Sequence, residues 1–121
     1  MELADEREEV KVIHPVDFAE LMEKAGLDKT MVIDVREPWE YESNSGHVPK
    51  SLLIPMMSIP DKLDEIRKHK DKHIGLICHS GERSYYACQY LMENGIKNVY
   101  SIDGGMIKWS RFGLDLEFSG E

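Results

Sequence analysis

Cys78 closes a short apolar run, His73-Ile74-Gly75-Leu76-Ile77, and is followed by His79-Ser80-Gly81-Glu82-Arg83-Ser84, which are mostly small or polar. Further on, Ala87, Cys88, Leu91 and Met92 recur at offsets of three and four, the spacing of one helical face, and Asn94-Gly95 supplies a stop. The pattern predicts a strand, a tight loop and the first turn of a helix. Such a loop curls its backbone N–H groups inward, and the helix start adds unpaired N–H groups and the positive end of its dipole. A sulfur placed there is favoured as thiolate, the nucleophilic form of cysteine. Cys78 is therefore the candidate nucleophile. The competing reading is a buried core thiol, and the loop composition after the cysteine argues against it.

The remaining elements have to hold that loop. Val10-Lys11-Val12-Ile13 reads as a short strand. His14-Pro15-Val16-Asp17 opens a helix with Phe18, Leu21, Met22 and Ala25 on one face and Gly26 at its end. Met31-Val32-Ile33-Asp34-Val35 is apolar and branched, the mark of a parallel strand buried on both faces, and Asp34, Arg36 and Glu37 cluster at its far end. Residues 38–50 form a long connection, a length often used functionally. Ser51-Leu52-Leu53-Ile54 is a further strand, and Ser58-Ile59-Pro60-Asp61 predicts the capped start of a helix with Leu63 and Ile66 inward. Val99-Tyr100-Ser101-Ile102 is a last strand, followed by Asp103-Gly104-Gly105, a helix through Trp109 and an extended end docked through Leu114, Leu116 and Phe118. Alternating strands and helices imply an α/β fold, a mostly parallel sheet with helices on both faces. Ligands of such sheets bind outside the carboxyl ends of the strands, where Cys78 falls.

Bulk properties narrow the function. A chain of 121 residues with 41% hydrophobic and 31% charged residues suits a single globular domain. The acidic segment 1–9 reads as a flexible tail, leaving one domain at 10–121. That segment lacks the apolar centre of a secretory signal, and no apolar run approaches a membrane span, so a cytoplasmic protein is expected. A net charge of −8 argues against nucleic acid or an anionic membrane as partner. The two cysteines, Cys78 and Cys88, have nine residues between them, which is neither a metal nor a redox-pair spacing. A reducing compartment fits.

Four stretches in order resemble the rhodanese (sulfurtransferase) family in its single-domain form: residues 32–41, Gly46-His47-Val48-Pro49-Lys50-Ser51, the Cys78–Ser84 loop, and Asn98-Val99-Tyr100 with Asp103-Gly104-Gly105 and Trp109. The likeness covers roughly residues 10–112. It implies a rhodanese-like fold with a sheet of about five strands. It also implies a Cys78 that accepts a sulfane sulfur as a persulfide and passes it on, with no metal or organic cofactor. Thiosulfate is the family's usual laboratory donor and cyanide its usual acceptor; the implied partners are a small anionic sulfur donor and a thiol or protein acceptor. Lys50-Ser51 departs from the family's usual Gly-Ala, and a less tightly turned loop is expected there. Four residues separate Cys78 from Arg83. Cysteine phosphatases resemble Cys-x5-Arg, one residue longer, so this cradle is expected to suit one extra sulfur better than a phosphoryl group.

The expected roles follow. Backbone N–H groups of residues 79 to 84, thus His79, Ser80, Gly81, Glu82, Arg83 and Ser84, would hold the negative outer sulfur. Gly81 would supply a backbone angle closed to other residues. Arg83 would either contact the donor's sulfonate or pair with a carboxylate such as Glu37 or Glu82. Ser84 would point its hydroxyl at the sulfur, cap its helix, or both. His79 would be a rim residue that tunes donor choice rather than a general base. Arg36 would help attract an anion or pair with Asp34; Asp34 and His47 would support the site. Trp39, Tyr41 and Trp109 are expected to pack, with a pocket wall the alternative for Trp39, and Cys88 to lie in the core. A protein-to-protein persulfide carrier with little thiosulfate activity is the main alternative, and a phosphatase or arsenate reductase the lesser one.

Overall fold

The computed structural model describes residues 9–118. Of the expected tail, only the exposed Glu9 falls within them. The chain runs β1 (Lys11–Ile13), α1 (Pro15–Ala25), β2 (Thr30–Asp34), α2 (Pro38–Tyr41), β3 (Leu52–Leu53), a 3-10 segment (Met56–Lys62), α3 (Leu63–Arg67), β4 (His73–Ile77), α4 (Glu82–Glu93), β5 (Val99–Ile102) and α5 (Gly105–Arg111). The five strands form one sheet in the order β1-β5-β4-β2-β3, and every pairing is parallel. Among the described residues, no helix is long and apolar enough to cross a membrane.

Strand alternation decides where Cys78 points. On β2 and β4, Ile33, Ile74 and Leu76 face one core with Ala87, Cys88 and Leu91 of α4, while Val32 and Ile77 face the other with Phe18, Met106 and Trp109. Cys78 continues the series 74, 76, and so belongs to the α4 face, beneath that helix's first turn. Burial holds both faces together. Phe18 alone, at 0% exposure, contributes about 2–3 kcal/mol.

The register brings the functional ends level. Asp34 lies beside Ile77, and Leu76 beside Ser101, so the residues leaving β2, β4 and β5 emerge at one rim. Helix α1 begins and ends as its residues predict, with Pro15 in the first turn and the Gly26 N–H donating to the Met22 carbonyl at 3.0 Å. Ser58, however, is no cap. Pro55 starts the coil earlier, the Ser58 N–H donates to the Pro55 carbonyl at 2.7 Å, and Pro60 sits inside the 3-10 segment that leads into α3. Trp39 does not pack either: the four-residue α2 buries none of its residues, and the indole is 74% exposed. Phe118, expected to dock, is 56% exposed, while Leu114 and Leu116 do pack against the α1–α5 core.

The Lys50 loop is as tight as a glycine would make it. The Ser51 N–H donates to the Val48 carbonyl at 3.1 Å, Pro49 occupies the second turn position, and Lys50 takes the left-handed angle φ 66°. That is the pattern of a type II turn, whose third position favours glycine. Lys50→Gly is therefore expected to stabilise the fold by about 0.5–1 kcal/mol, the relief of the left-handed strain less the added flexibility of glycine. A melting temperature a few degrees higher is the expected readout, and an unchanged or lower one would contradict it.

Candidate active site

Two amides of the loop converge on the Cys78 sulfur. The Gly81 N–H donates to Cys78 Sγ at 3.1 Å and the Ser84 N–H at 3.4 Å. Gly81 takes φ 114° and forms the N-cap position of α4, so the helix starts directly above the sulfur. Two amides and the positive end of α4 thus face Sγ, an arrangement that stabilises negative charge there. Cys78 is only 1% exposed, which puts its sulfur at the floor of the loop. Ser84 is fully buried and lies in the first turn of α4 rather than at its cap. The Cys78 S–H donates to its Oγ at 3.5 Å, and that hydroxyl also reaches the Gly81 carbonyl at 3.1 Å and Ser101 Oγ at 2.8 Å.

The backbone of the loop is held from below by the next element. The Met106 N–H donates to the Cys78 carbonyl at 2.8 Å and the Ile107 N–H to the His79 carbonyl at 3.1 Å. Asp103-Gly104-Gly105 makes this possible by turning through two left-handed glycines that bring the start of α5 against the loop. Residue 78 is therefore fixed at both ends, its sulfur by α4 and its carbonyl by α5.

The charged residues resolve into pairs. Arg83 clasps Glu40 with two parallel bonds, Nη1 to Oε1 at 2.8 Å and Nη2 to Oε2 at 2.9 Å. Neither Glu37 nor Glu82, the carboxylates expected from their nearness in sequence, is its partner. Glu40 is itself aimed by the Glu37 N–H, which donates to Oε1 at 2.9 Å. The Arg83 hydrogen bonds, chiefly, hold the Glu40 carboxyl well below the usual range, at about 2. They also raise the Arg83 pKa, with smaller contributions from nearby Cys78 and Asp34. Because the folded carboxyl is the stronger acid, the pair's stabilisation is complete above about pH 4.5 and fades as the pH falls toward 2. A melting temperature that drops through this window in the native protein, and drops less steeply in Glu40→Gln, is the expected result.

Arg36, expected among the substrate-binding residues, is 1% exposed and turned inward. Its guanidinium bonds Asp34 through Nε at 2.9 Å and Nη2 at 2.9 Å, and the Gly46 carbonyl through Nη2 at 2.9 Å. Asp34 is 0% exposed and also accepts the Arg36 N–H at 3.1 Å. The pair ties the end of β2 to the loop at 46, and the guanidinium spends its hydrogen bonds on Asp34, the Glu40 and Gly46 carbonyls and Ser45 rather than on the Cys78 loop. His47 anchors the same loop: its ring stacks on Tyr41 at 3.8 Å, Nδ1 lies 3.1 Å from the Tyr41 carbonyl, and its backbone pairs with Glu117. His79 is exposed, and among the described residues no hydrogen bond joins its ring to Cys78. Ser80 Oγ donates to Glu82 Oε1 at 2.5 Å, a bond that lowers the Glu82 pKa ahead of any other cause and keeps an exposed carboxylate on the rim. Cys88 is sealed in the core at 0% exposure, and burial pushes its thiol pKa up.

Three residues escaped the sequence reading as parts of the site: Glu40, Ser101 and, as a loop support, Gly105. Glu40 carried a signal, since Glu37-Pro38-Trp39-Glu40 has capping-box spacing and such a glutamate folds back over its helix start. Beside the loop, Val12, Gly81, Tyr85, Tyr86 and Ser101 help line a cleft of about 300 Å³. A cavity of about 600 Å³ between α1, α5 and residues 48–50 contains none of the loop residues.

A family model described as a rhodanese-like domain matches residues 14–112. The chain is 36% identical over 106 residues to a sulfurtransferase of Allochromatium vinosum, covering 87% of this chain and 95% of that protein. A rhodanese-related protein from Thermoplasma volcanium superposes with a TM-score of 0.77 at 28% identity, over 90% of this chain and 99% of that one. A rhodanese-like domain protein from Staphylococcus aureus does so with 0.75 at 30% identity, over 89% and 99%. Loop, topology and relatives agree, and the chain belongs to the rhodanese-like domain family.

Proposed function

We propose that this protein is a sulfurtransferase that carries a sulfane sulfur on Cys78 as a persulfide. The observation that carries the reading is the convergence of the Gly81 and Ser84 amides on Sγ, at 3.1 and 3.4 Å. The Cys78 thiolate attacks the outer sulfur of a donor such as thiosulfate, the donor's S–S bond breaks, and sulfite leaves with the electron pair. A thiophilic acceptor, cyanide or a thiol, then takes the outer sulfur and returns the thiolate. Neither step needs a base once the thiolate has formed, consistent with an exposed His79 ring that among the described residues makes no hydrogen bond to Cys78. The sulfurtransferase name of the Allochromatium relative supports the reaction class, and two free cysteines suit a reducing compartment such as the cytoplasm.

The floor position of the sulfur supports sulfane transfer over phosphoryl transfer. At 1% exposure, Sγ suits a single terminal atom arriving end-on, and the four residues from Cys78 to Arg83 leave a small cradle. Turnover of phosphate esters as fast as sulfur transfer would overturn this preference. A second reading, a carrier that takes sulfur from a partner protein, is favoured by the Arg83–Glu40 clasp, which leaves less positive charge for a free anion.

Intact-mass spectrometry after mixing with thiosulfate is the decisive test. A gain of one sulfur that a reductant removes, mapped by peptide to Cys78, is expected. No adduct from thiosulfate or from a persulfide donor would refute the proposal.

A further inference from the structure

We infer that Glu40 sets the donor preference of the Cys78 site: by clasping Arg83 it removes the rim cation that a dianionic donor would use, and biases the loop toward donors of lower charge. This rests on the sulfur-transfer reading above and adds to it a residue that chooses the substrate class.

The argument is a census of charge around the loop. Arg83 is the arginine next to Cys78 that reaches solvent, at 35% side-chain exposure, and both of its terminal nitrogens are on Glu40. Arg36 is buried on Asp34, and Lys108, at the base of the loop on α5, is paired with Asp103 at 2.6 Å. Each of these three cations thus meets its own carboxylate. Glu82 adds an exposed negative charge on the loop itself. The attraction left for an incoming anion comes from amides aimed at the floor, where the transferred sulfur sits. A donor whose outer sulfur met Sγ end-on would carry its sulfonate toward the rim, where among the described residues Glu82 presents an exposed carboxylate. The Glu40 carboxylate is held by more than its partner, because the Glu37 N–H fixes it at 2.9 Å and its side chain is 13% exposed. It is a built lock rather than a passing surface contact.

Methanethiosulfonate isolates the charge. Thiosulfate carries two negative charges and methanethiosulfonate one, yet both present a terminal sulfur to the same attack. In each case the Cys78 thiolate bonds to that sulfur, the donor S–S bond breaks, and sulfite or methanesulfinate leaves with the electron pair. No further oxidant, reductant or proton is required.

The test is the single-turnover rate of sulfur loading on Cys78, followed by quenched intact mass, with both donors. In Glu40→Gln the thiosulfate-to-methanethiosulfonate rate ratio is expected to rise about tenfold, the size of one added charge–charge interaction near a protein surface. In Glu40→Gln/Arg83→Met it returns to the native value. A ratio that stays within about twofold of native in the single variant, or a rise that survives loss of Arg83, overturns the inference. A loop merely loosened by the substitution slows both donors alike and leaves the ratio unmoved, so it counts against. The native protein gives an independent reading: with Arg83 masked, thiosulfate loading is expected to quicken as salt rises from about 20 to 300 mM, because screening relieves repulsion. A rate that falls with salt contradicts the masking. If neither donor loads Cys78 in the native protein, sulfur transfer itself fails, an outcome distinct from a loaded protein with an unchanged ratio.

Discussion

Cys78→Ser is expected to reduce sulfur transfer to the uncatalysed background while leaving the fold in place. The serine oxygen occupies the same floor and meets the same two amides, from Gly81 and Ser84. It lacks the thiolate's nucleophilicity at neutral pH, and no oxygen analogue of the persulfide forms under these conditions. Loading with any donor should therefore give no adduct, with a melting temperature near that of the native protein. Cys88→Ser supplies the contrast. That residue is 0% exposed on the inner face of α4, so a hydroxyl there costs about 1–3 kcal/mol of stability while loading proceeds. Residual transfer in Cys78→Ser, or its loss in a folded Cys88→Ser, would place the chemistry elsewhere.

Gly105→Ala is expected to lower loading on the order of 100-fold although the residue touches no substrate. A methyl group there would stand 2.6 Å from both the carbonyl carbon and oxygen of His79, and closer still to the Cys78 carbonyl oxygen. Backbone cannot swing aside as a side-chain end can, so either α5 or the Cys78 loop must move. A displacement of about 1 Å at the nucleophile is enough to account for that loss. The residue's φ of 59° adds backbone strain, and about 2–3 kcal/mol of stability should go with it. Gly113→Ala is the control. It shares a left-handed angle, φ 72°, but its added methyl group meets nothing within 4 Å, so it should cost about 1 kcal/mol and leave loading intact. Equal loading in both variants would mean that α5 does not hold the loop.

Much of this arrangement was legible from residue order because it is local. Branched runs at 31–35 and 73–77 define the central strands, and the step from Cys78 through Gly81 to the face of Ala87, Cys88 and Leu91 defines a loop feeding a helix. Parallel pairing then brings the ends of β2, β4 and β5 to one rim without further information. What stayed hidden depends on side-chain direction across long separations. Arg83 finds Glu40 43 residues away, passing over nearer carboxylates, because α2 lies across from α4. Arg36 turns inward because Asp34 and the loop carbonyl at Gly46 offer it a full set of acceptors at the buried end of β2. Trp39 looks like a packing residue by type, yet α2 is too short and too shallow to bury it. Lys50 shows a different limit: the turn takes its tight form although a lysine stands where glycine fits best.

If Cys78 is loaded as proposed, the sealed position of Cys88 bears on how long the protein would keep its sulfur. It is the chain's other cysteine, and among the described residues it forms no disulfide and has no opening to solvent. On the proposed mechanism a persulfide on Cys78 would find a poor resolving thiol in Cys88, because burial raises the Cys88 pKa and keeps that sulfur in its unreactive protonated form. Discharge would then depend on an acceptor from outside the chain. In thiol-free buffer the loaded form should persist as a reservoir, and its half-life should shorten in proportion to whatever acceptor is supplied.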